Sequence, residues 1–347
     1  MKVKLTLLFN TIIENSDQQA SVMKAFRYGN PIAGIQAVEL QTPVPKAGEV
    51  LVAVQAAGLC HSDIHILKGH GDSWLGKKPI TLGHEVAGIV AKLGPGVSEF
   101  KIGDRVAASP PPQPIAIDGF VDCIGLGVDG GYAEFVVVSA KFLVALSEEV
   151  TFAQAAVASD SIATAYHAVV GEAQVANGTS VAIIGLGGLG LNAVRVAKLQ
   201  GATVYGIDID EKRFDGAIHQ GAKACYRSLA EVPGITLDAV VDLAGAGTTT
   251  VAAISAVKPT GHVVLVGLAK EAFEISSHTL VMKNVQLRGS LGSTREEYIA
   301  VLDLIASKSI VPDLEEISFA DLPKALKRLE AGDALGRLWT NPNPNFA

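Results

Sequence analysis

The chain predicts an α/β protein of two parts, a doubly wound parallel sheet and a β-rich domain, and three observations carry that prediction. The apolar run Val181-Ala182-Ile183-Ile184 leads into Gly185-Leu186-Gly187-Gly188-Leu189-Gly190, a strand ending in G-x-G-x-x-G. From about Ile162 to Gly289, strand-like and helix-like stretches alternate, as they do when helices wrap a parallel sheet. Before Ile162, short apolar runs are broken by prolines and glycines, as they are when turns join neighbouring strands.

Length and composition agree. At 347 residues the chain exceeds one typical core, and 49% apolar residues with 36 glycines and only 5% aromatics suit strands separated by glycine-rich turns. A net charge of −7 gives nucleic acid or an anionic membrane surface no electrostatic footing. Three cysteines are too few for a disulfide framework, so a reducing compartment, the cytoplasm, is the expected location. The N-terminal stretch from Met1 to Ile13 has the charge and apolarity of a weak signal peptide. Asn10 interrupts it, no small-residue cleavage site follows, and it is too short to span a bilayer. No repeat or low-complexity segment is present.

Taken in order, Val38 to Val54 and Val86 to Val97 read as strands interrupted by Pro43, Pro45, Gly48 and the turn Gly94-Pro95-Gly96. In the second half the expected strands are Val181–Ile184, Val204–Ile207, Ala239–Asp242, His262–Val266 and Val285–Gly289. The tail beyond Leu291 returns to a helix, Glu296–Ser307, expected to pack back on the first half.

The glycine motif has the context that gives it meaning: a strand before, the helix-like Leu191 to Lys198 after, and a second strand ending at Asp208. Gly185, Gly187, Gly188 and Gly190, with Leu189 between them, allow a tight turn and close approach of a pyrophosphate to a helix N-terminus. A carboxylate at Asp208 would accept hydrogen bonds from the adenosine ribose hydroxyls and repel a 2′-phosphate, which favours NAD over NADP. Lys212 and Arg213 nearby soften that preference, since cations accommodate a phosphate.

The richest chemistry lies earlier. Cys60-His61-Ser62-Asp63 is followed, 24 residues after Cys60, by His84 in Gly83-His84-Glu85-Val86-Ala87-Gly88. A soft thiolate and an imidazole, each close to a carboxylate, are the makings of a zinc site. Singly, a buried cysteine is a small core residue and a histidine a satisfied polar group; the spaced set is what points to metal. His61, His65 and His70 crowd the same stretch, and the spacing favours Cys60 as the ligand.

The run from Gly83 through Gly88 and Gly94 to Val97 reads G-H-E-x2-G-x5-G-x2-V. It resembles the signature of the zinc-containing alcohol dehydrogenases in the medium-chain dehydrogenase/reductase superfamily. The resemblance covers Met23 to the C-terminus and leaves residues 1–22 as an extension without a role in the fold. It implies a GroES-like catalytic domain over 23–161 and 291–347, and a Rossmann domain binding NAD(H) over 162–290. The third metal ligand is then Asp160, matching secondary-alcohol dehydrogenases that carry aspartate where others have cysteine. Two anionic ligands preserve the charge balance of the site. The four-cysteine cluster that holds a second, structural zinc in many members is missing: the corresponding lobe after Gly103-Asp104-Arg105-Val106 has Cys123 alone and a proline-rich loop. One zinc per chain is expected.

The same resemblance assigns the remaining roles. Zinc would polarise an alcohol or carbonyl oxygen while hydride passes between substrate and nicotinamide. Ser62 would take the proton and His65, with its near-neutral titration, would receive it by way of the nicotinamide ribose. Glu85 would stand close to the metal, with Asp63 and Arg337 helping to hold the site. His61, Val266 and Leu291 are expected coenzyme contacts, and Arg295, in Gly289 to Arg295, a candidate phosphate contact. The substrate walls come from loops, with Trp74, Ile64, Tyr166 and Pro110–Pro114 as candidates. The partners implied are a small alcohol, ketone or aldehyde and further copies of the chain, as a dimer or tetramer. Zinc-free quinone or enoyl reductases share the fold and lack the ligand set. Zinc-dependent reductases of an enal or imine often dispense with the relay, and a non-catalytic relative would have no need of ligands, relay and glycines together.

Overall fold

The computed structural model describes residues 21–111, 120–334 and 336–346. Two sheets organise the first half, antiparallel throughout except where two strands from the tail, Leu314–Ile317 and Arg337–Thr340, pair in parallel. A three-stranded sheet runs Ile35–Gln41, Val22–Tyr28, Ile80–Thr81. A seven-stranded sheet runs Leu314–Ile317, Arg337–Thr340, Glu49–Gly58, Glu85–Leu93, Arg105–Ala108, Leu143–Ala145, with Phe135–Ser139 also paired to Glu49–Gly58. The central strand Glu49–Gly58 (EVLVAVQAAG) is buried over most of its length, which is why its apolar run barely alternates. The prolines divide the first run as expected, giving Ile35–Gln41 and Glu49–Gly58 in place of one long strand. The second run stops at Leu93 because Gly94 lies against the carbonyl of Lys46, where any Cβ would collide.

The second half builds a six-stranded parallel sheet in the order Ala224–Tyr226, Thr203–Ile207, Ser180–Ile184, Leu237–Asp242, Val257–Leu265, Gln286–Gly289. The chain leaves Ser180–Ile184 in one direction and returns on its other side with Leu237–Asp242, so a topological switch point lies between these two strands. Ile184 pairs with both Ile207 and Asp242, which aligns the carboxyl ends there. The sixth strand, Ala224–Tyr226, was not expected; at three half-buried residues it carries no readable period.

The tail joins the two halves. The helix Arg295–Ala306 starts one residue before the expected Glu296 and is fixed by a capping box between Thr294 and Glu297. Tyr298, fully buried, donates to the carbonyl of Ala155 at 2.8 Å. Arg337–Thr340 then pairs with Glu49–Gly58, matching Trp339 to Gly58. That pairing carries Arg337 from the end of the chain to the site described next.

Candidate metal and coenzyme site

Cys60 is the N-cap of the helix His61–Leu67, and its backbone N–H donates to the Asp63 carboxylate at 3.0 Å in a capping box. Asp63 is fully buried, accepts from the Tyr132 hydroxyl at 2.7 Å, and places its other oxygen 3.7 Å from His84 Nδ1. The two atoms face each other without a hydrogen bond, while Nε2 on the other side of the ring faces the cluster. Gly83 precedes His84 at φ +90° with its α-carbon against the Tyr132 ring, a conformation that suits glycine. Asp160 comes from a π-turn, Ala158–Ile162, inserted in the helical run after Thr151; the wider turn is a common device for aiming a functional side chain.

These segments converge. The Cys60 thiol donates to Asp160 Oδ2 at 3.0 Å, the Ser62 hydroxyl donates to Cys60 Sγ at 3.0 Å, and Ser62 Oγ lies 3.3 Å from His84 Nε2. The donor atoms of Cys60, His84, Glu85 and Asp160 all fall within 4.8 Å of one another. Glu85 is ion-paired to Arg337 through one oxygen, while its other oxygen, Oε2, is buried without a partner. Arg337 Nη2 also lies 3.8 Å from Asp160 Oδ2. A thiol, an imidazole and carboxylates around a common point, one carboxylate oxygen orphaned, fit a zinc ion. Among the described residues no other group of three or more such side chains forms.

The electrostatics show what the protein alone leaves unbalanced. Burial pushes the Cys60 thiol up to about 12, reinforced by the charges of Asp160 and Asp63 and opposed by Arg337. Burial and the Asp160 charge raise the Glu85 carboxyl well above the usual range against the pull of Arg337. For Asp160, burial acts upward but His84, Arg337 and the Cys60 hydrogen bond outweigh it, and the net shift is down. Burial would lower His84, yet Asp63, Asp160 and Glu85 hold it above the ordinary histidine value. A divalent cation reverses this logic, since it stabilises thiolate, carboxylate and neutral imidazole together.

On the coenzyme side, Gly185 has φ +88° and Gly190 packs its α-carbon against the Gly185 carbonyl, so a Cβ at Gly190 has no room. Gly187 caps the helix Gly188–Leu199 with no side-chain acceptor, leaving the first N–H groups, including that of Leu189, to an anion. Asp208 ends the strand Thr203–Ile207 and accepts from the backbone N–H groups of Leu186 at 2.7 Å and Asp210 at 2.9 Å. Arg213 Nε lies 3.9 Å from Asp208 Oδ2, and the Lys212 N–H donates to Asp210. The His61 residue is exposed, and partial desolvation of its ring, with the charges of Arg337 and Arg213, lowers its titration. The Val266 N–H donates to the Asp242 carbonyl at 2.9 Å. Arg295 turns the other way, donating to the Leu143 carbonyl at 3.2 Å, which sets its guanidinium against the first half of the chain.

A cavity of about 200 Å³ opens from the cluster. Ser62, His84 and Asp160 form its polar end, Trp74, Phe120 and Phe142 its walls, and Leu268, Leu291 and Gly292 its contribution from the second half. Pro110 and Pro111 line it, while the rest of the proline-rich loop, 112–119, lies outside the described residues. Two expected wall residues are corrected: Ile64 faces inward from its short helix into the core, and Tyr166 packs against the core beneath the parallel sheet. His65 stacks on Trp74 with ring centroids 5.0 Å apart and lies 5.3 Å from His70. No hydrogen bond joins Ser62 to His65 among the described residues. Tyr132, which braces Asp63, was missed in the sequence.

Residues 46–148 match the model of the alcohol dehydrogenase GroES-like domain, and residues 188–307 that of the zinc-binding dehydrogenase domain. The chain is 30% identical to an NAD-dependent alcohol dehydrogenase of Saccharolobus solfataricus, over 86% of this chain and 94% of that one. It is also 30% identical to an alcohol dehydrogenase of Geobacillus stearothermophilus, over 88% and 95%. The solved structure of acetophenone reductase from Geotrichum candidum in complex with NAD superimposes with a TM-score of 0.83 and 30% identity, covering 94% of this chain and 98% of that one. The chain belongs to the zinc-containing alcohol dehydrogenase family of the medium-chain dehydrogenase/reductase superfamily, with a GroES-like and a Rossmann-like fold.

Proposed function

We propose that Cys60, His84 and Asp160 hold the single catalytic zinc of this NAD-dependent alcohol dehydrogenase, and that secondary alcohols and the matching ketones are its preferred substrates. The observation that carries the ligand assignment is the convergence of those donor atoms, with Glu85, within 4.8 Å at the end of a cavity of about 200 Å³. When bound, zinc supplies Lewis acidity toward the substrate oxygen and NAD accepts the hydride.

The chain's own residues do the rest. Asp63 orients His84 from behind, and Tyr132 orients Asp63. Arg337 offsets the charge of Glu85 and Asp160 in a site with little water to do so. Ser62 Oγ, beside both Cys60 and His84, is placed to take the proton from a substrate oxygen at the cavity's polar end. Because Ser62 and His65 are not bonded directly, a proton passing from Ser62 to His65 would need a bridging group. Asp208 is held by two backbone donors where it can meet ribose hydroxyls, which supports the preference for NAD.

Elemental analysis tests the ligand assignment. One zinc per chain is expected in the native protein, with loss of metal and turnover on Cys60→Ser; two zincs, or none, would overturn it. We further propose a domain division of 23–161 with 291–347 against 162–290, supported by sheet membership. A homo-oligomer, dimer or tetramer, is supported by exposed Val281 and Met282 beside the edge strand Gln286–Gly289. A cytoplasmic location is supported by three free cysteines. No helix among the described residues is long and apolar enough to cross a membrane.

A further inference from the structure

Among the described lining residues, one buried hydroxyl has no task in the metal cluster or in the fold. Ser159 lines the cavity but its hydroxyl donates to the Ala156 carbonyl at 2.8 Å. Asp122 lines it and is paired with Lys141 at 3.3 Å. The Cys123 thiol rests on the Ile124 carbonyl at 3.7 Å. Ser109 is different: it is only 8% exposed, lies on the cavity wall, and its hydroxyl has no hydrogen-bond partner.

Its backbone is fixed from both sides. Ser109 follows the strand Arg105–Ala108, its N–H donates to the Phe142 carbonyl at 2.7 Å, and Pro110 and Pro111 follow it with restricted φ. The hydroxyl therefore adjusts only by rotation about its own χ1, a preorganised group on an otherwise largely apolar wall. Buried hydroxyls without partners are uncommon, and a ligand that supplies the partner is favoured over an isostere that does not.

We propose that Ser109 is a specificity-determining residue that hydrogen-bonds a second, uncharged oxygen of the substrate, so that hydroxyketones and the diols formed from them are preferred over plain ketones. The second oxygen is uncharged because the described lining residues include Asp122 and Asp160 and no lysine or arginine to receive a carboxylate or phosphate. In the reaction the carbonyl carbon gains hydride from NADH, its oxygen gains a proton, NAD is released, and the second hydroxyl is unchanged. This inference rests on the alcohol dehydrogenase reading above.

The test is kcat/KM for matched pairs of ketones in which a hydroxyl replaces a terminal methyl, beginning with 4-hydroxy-2-butanone and 2-pentanone and lengthening the chain one carbon at a time. In the native zinc enzyme with NADH, at least one hydroxyketone is expected to exceed its isostere by about tenfold, the scale of one buried hydrogen bond. Ser109→Ala should bring that ratio to near one, and Ser109→Thr should keep most of it. A native ratio near one across the series, or a preference that survives Ser109→Ala, overturns the role of Ser109 while turnover of 2-pentanone keeps the underlying reading intact. Absence of turnover on every ketone would overturn both.

Discussion

The cluster of Cys60, His84 and Asp160 draws its side chains from segments as far as 100 residues apart, whereas the glycine turn from Gly185 to Gly190 is six consecutive residues shaped by backbone contacts. The cluster is held by other buried side chains: Asp63 behind His84, Tyr132 behind Asp63, and Arg337 across from Glu85 and Asp160. The turn is held by main-chain bonds, such as the Gly185 N–H to the Ile207 carbonyl at 2.8 Å, with the Asp208 carboxylate accepting from the Leu186 N–H. A site assembled from charged groups in low dielectric fails when any partner is lost, because the remaining charge stays buried. A site assembled from backbone retains its shape when side chains around it change. Substitutions at the two places should therefore differ in size and in kind.

The largest effect is expected at the cluster. Cys60→Ser or Asp160→Asn should remove zinc and lower turnover by on the order of a thousandfold or more, the several kcal/mol a metal ion contributes to charge stabilisation. Asp63→Asn keeps all three ligands and removes the charge that faces His84, while also weakening the Cys60 cap and the Tyr132 contact, so its metal affinity should fall by roughly 10- to 100-fold. Zinc content after dialysis against graded chelator separates the two. Equal retention in Asp63→Asn and native protein would break the comparison, since the cluster would then not depend on its remote supports. Next in size is Ser62→Ala, expected to cost on the order of 10²-fold in turnover with zinc retained, the usual scale of a positioned proton-transfer group. Unchanged turnover would remove Ser62 from the proton path.

The same contrast explains what the sequence made legible. The glycine turn, the strand before it and Asp208 after it could be read directly because their function depends on local backbone and fixed spacing. Cys60 and His84 stood out because each lies in a short motif. Asp160 needed the resemblance, since its π-turn leaves no pattern in Ala158-Ser159-Asp160-Ser161-Ile162. Tyr132 left none either: its importance comes from meeting Asp63 across 69 positions of sequence. Ile64 and Tyr166 were misplaced for a related reason, because lying near a motif in sequence does not decide which face of a short helix a side chain occupies. Arg337 reaches Glu85 only through the return of Arg337–Thr340 to the first half, a pairing whose register no local signal sets.

On the turn side, Asp208→Ser sharpens the comparison because it changes recognition without touching a glycine. The ratio of kcat/KM for NAD(H) to that for NADP(H) should exceed one in the native enzyme. It should fall by about tenfold in the variant, the scale of one charge-assisted hydrogen bond. Arg213, 3.9 Å from Asp208 and 3.7 Å from Asp210, would then have one carboxylate fewer competing with a 2′-phosphate. A native preference for NADPH would mean that Lys212 and Arg213 outweigh the carboxylate.

The smallest effect is expected where the two regions meet the solvent, at His65. Partial burial lowers its titration below the ordinary value of 6.5, and the charge of His70 lowers it further. A histidine that accepts a proton during alcohol oxidation must be neutral, so turnover is complete above its pKa and declines as pH falls through it. With the pKa depressed, the midpoint of that decline lies below 6.5, so more of the proton acceptor stays neutral in mildly acidic solution than for an ordinary histidine. His70→Gln removes the second cause and leaves the first, so the acidic limb of the oxidation profile should move upward in pH. His65→Gln should remove the dependence on this group altogether, at a cost in turnover smaller than that of Ser62→Ala, because water substitutes for an acceptor at the surface and not for a hydroxyl beside the metal site. Profiles of kcat for oxidation against pH in the native enzyme and both variants decide the matter. An acidic limb that is unmoved in His70→Gln and still present in His65→Gln would assign it to a group other than His65.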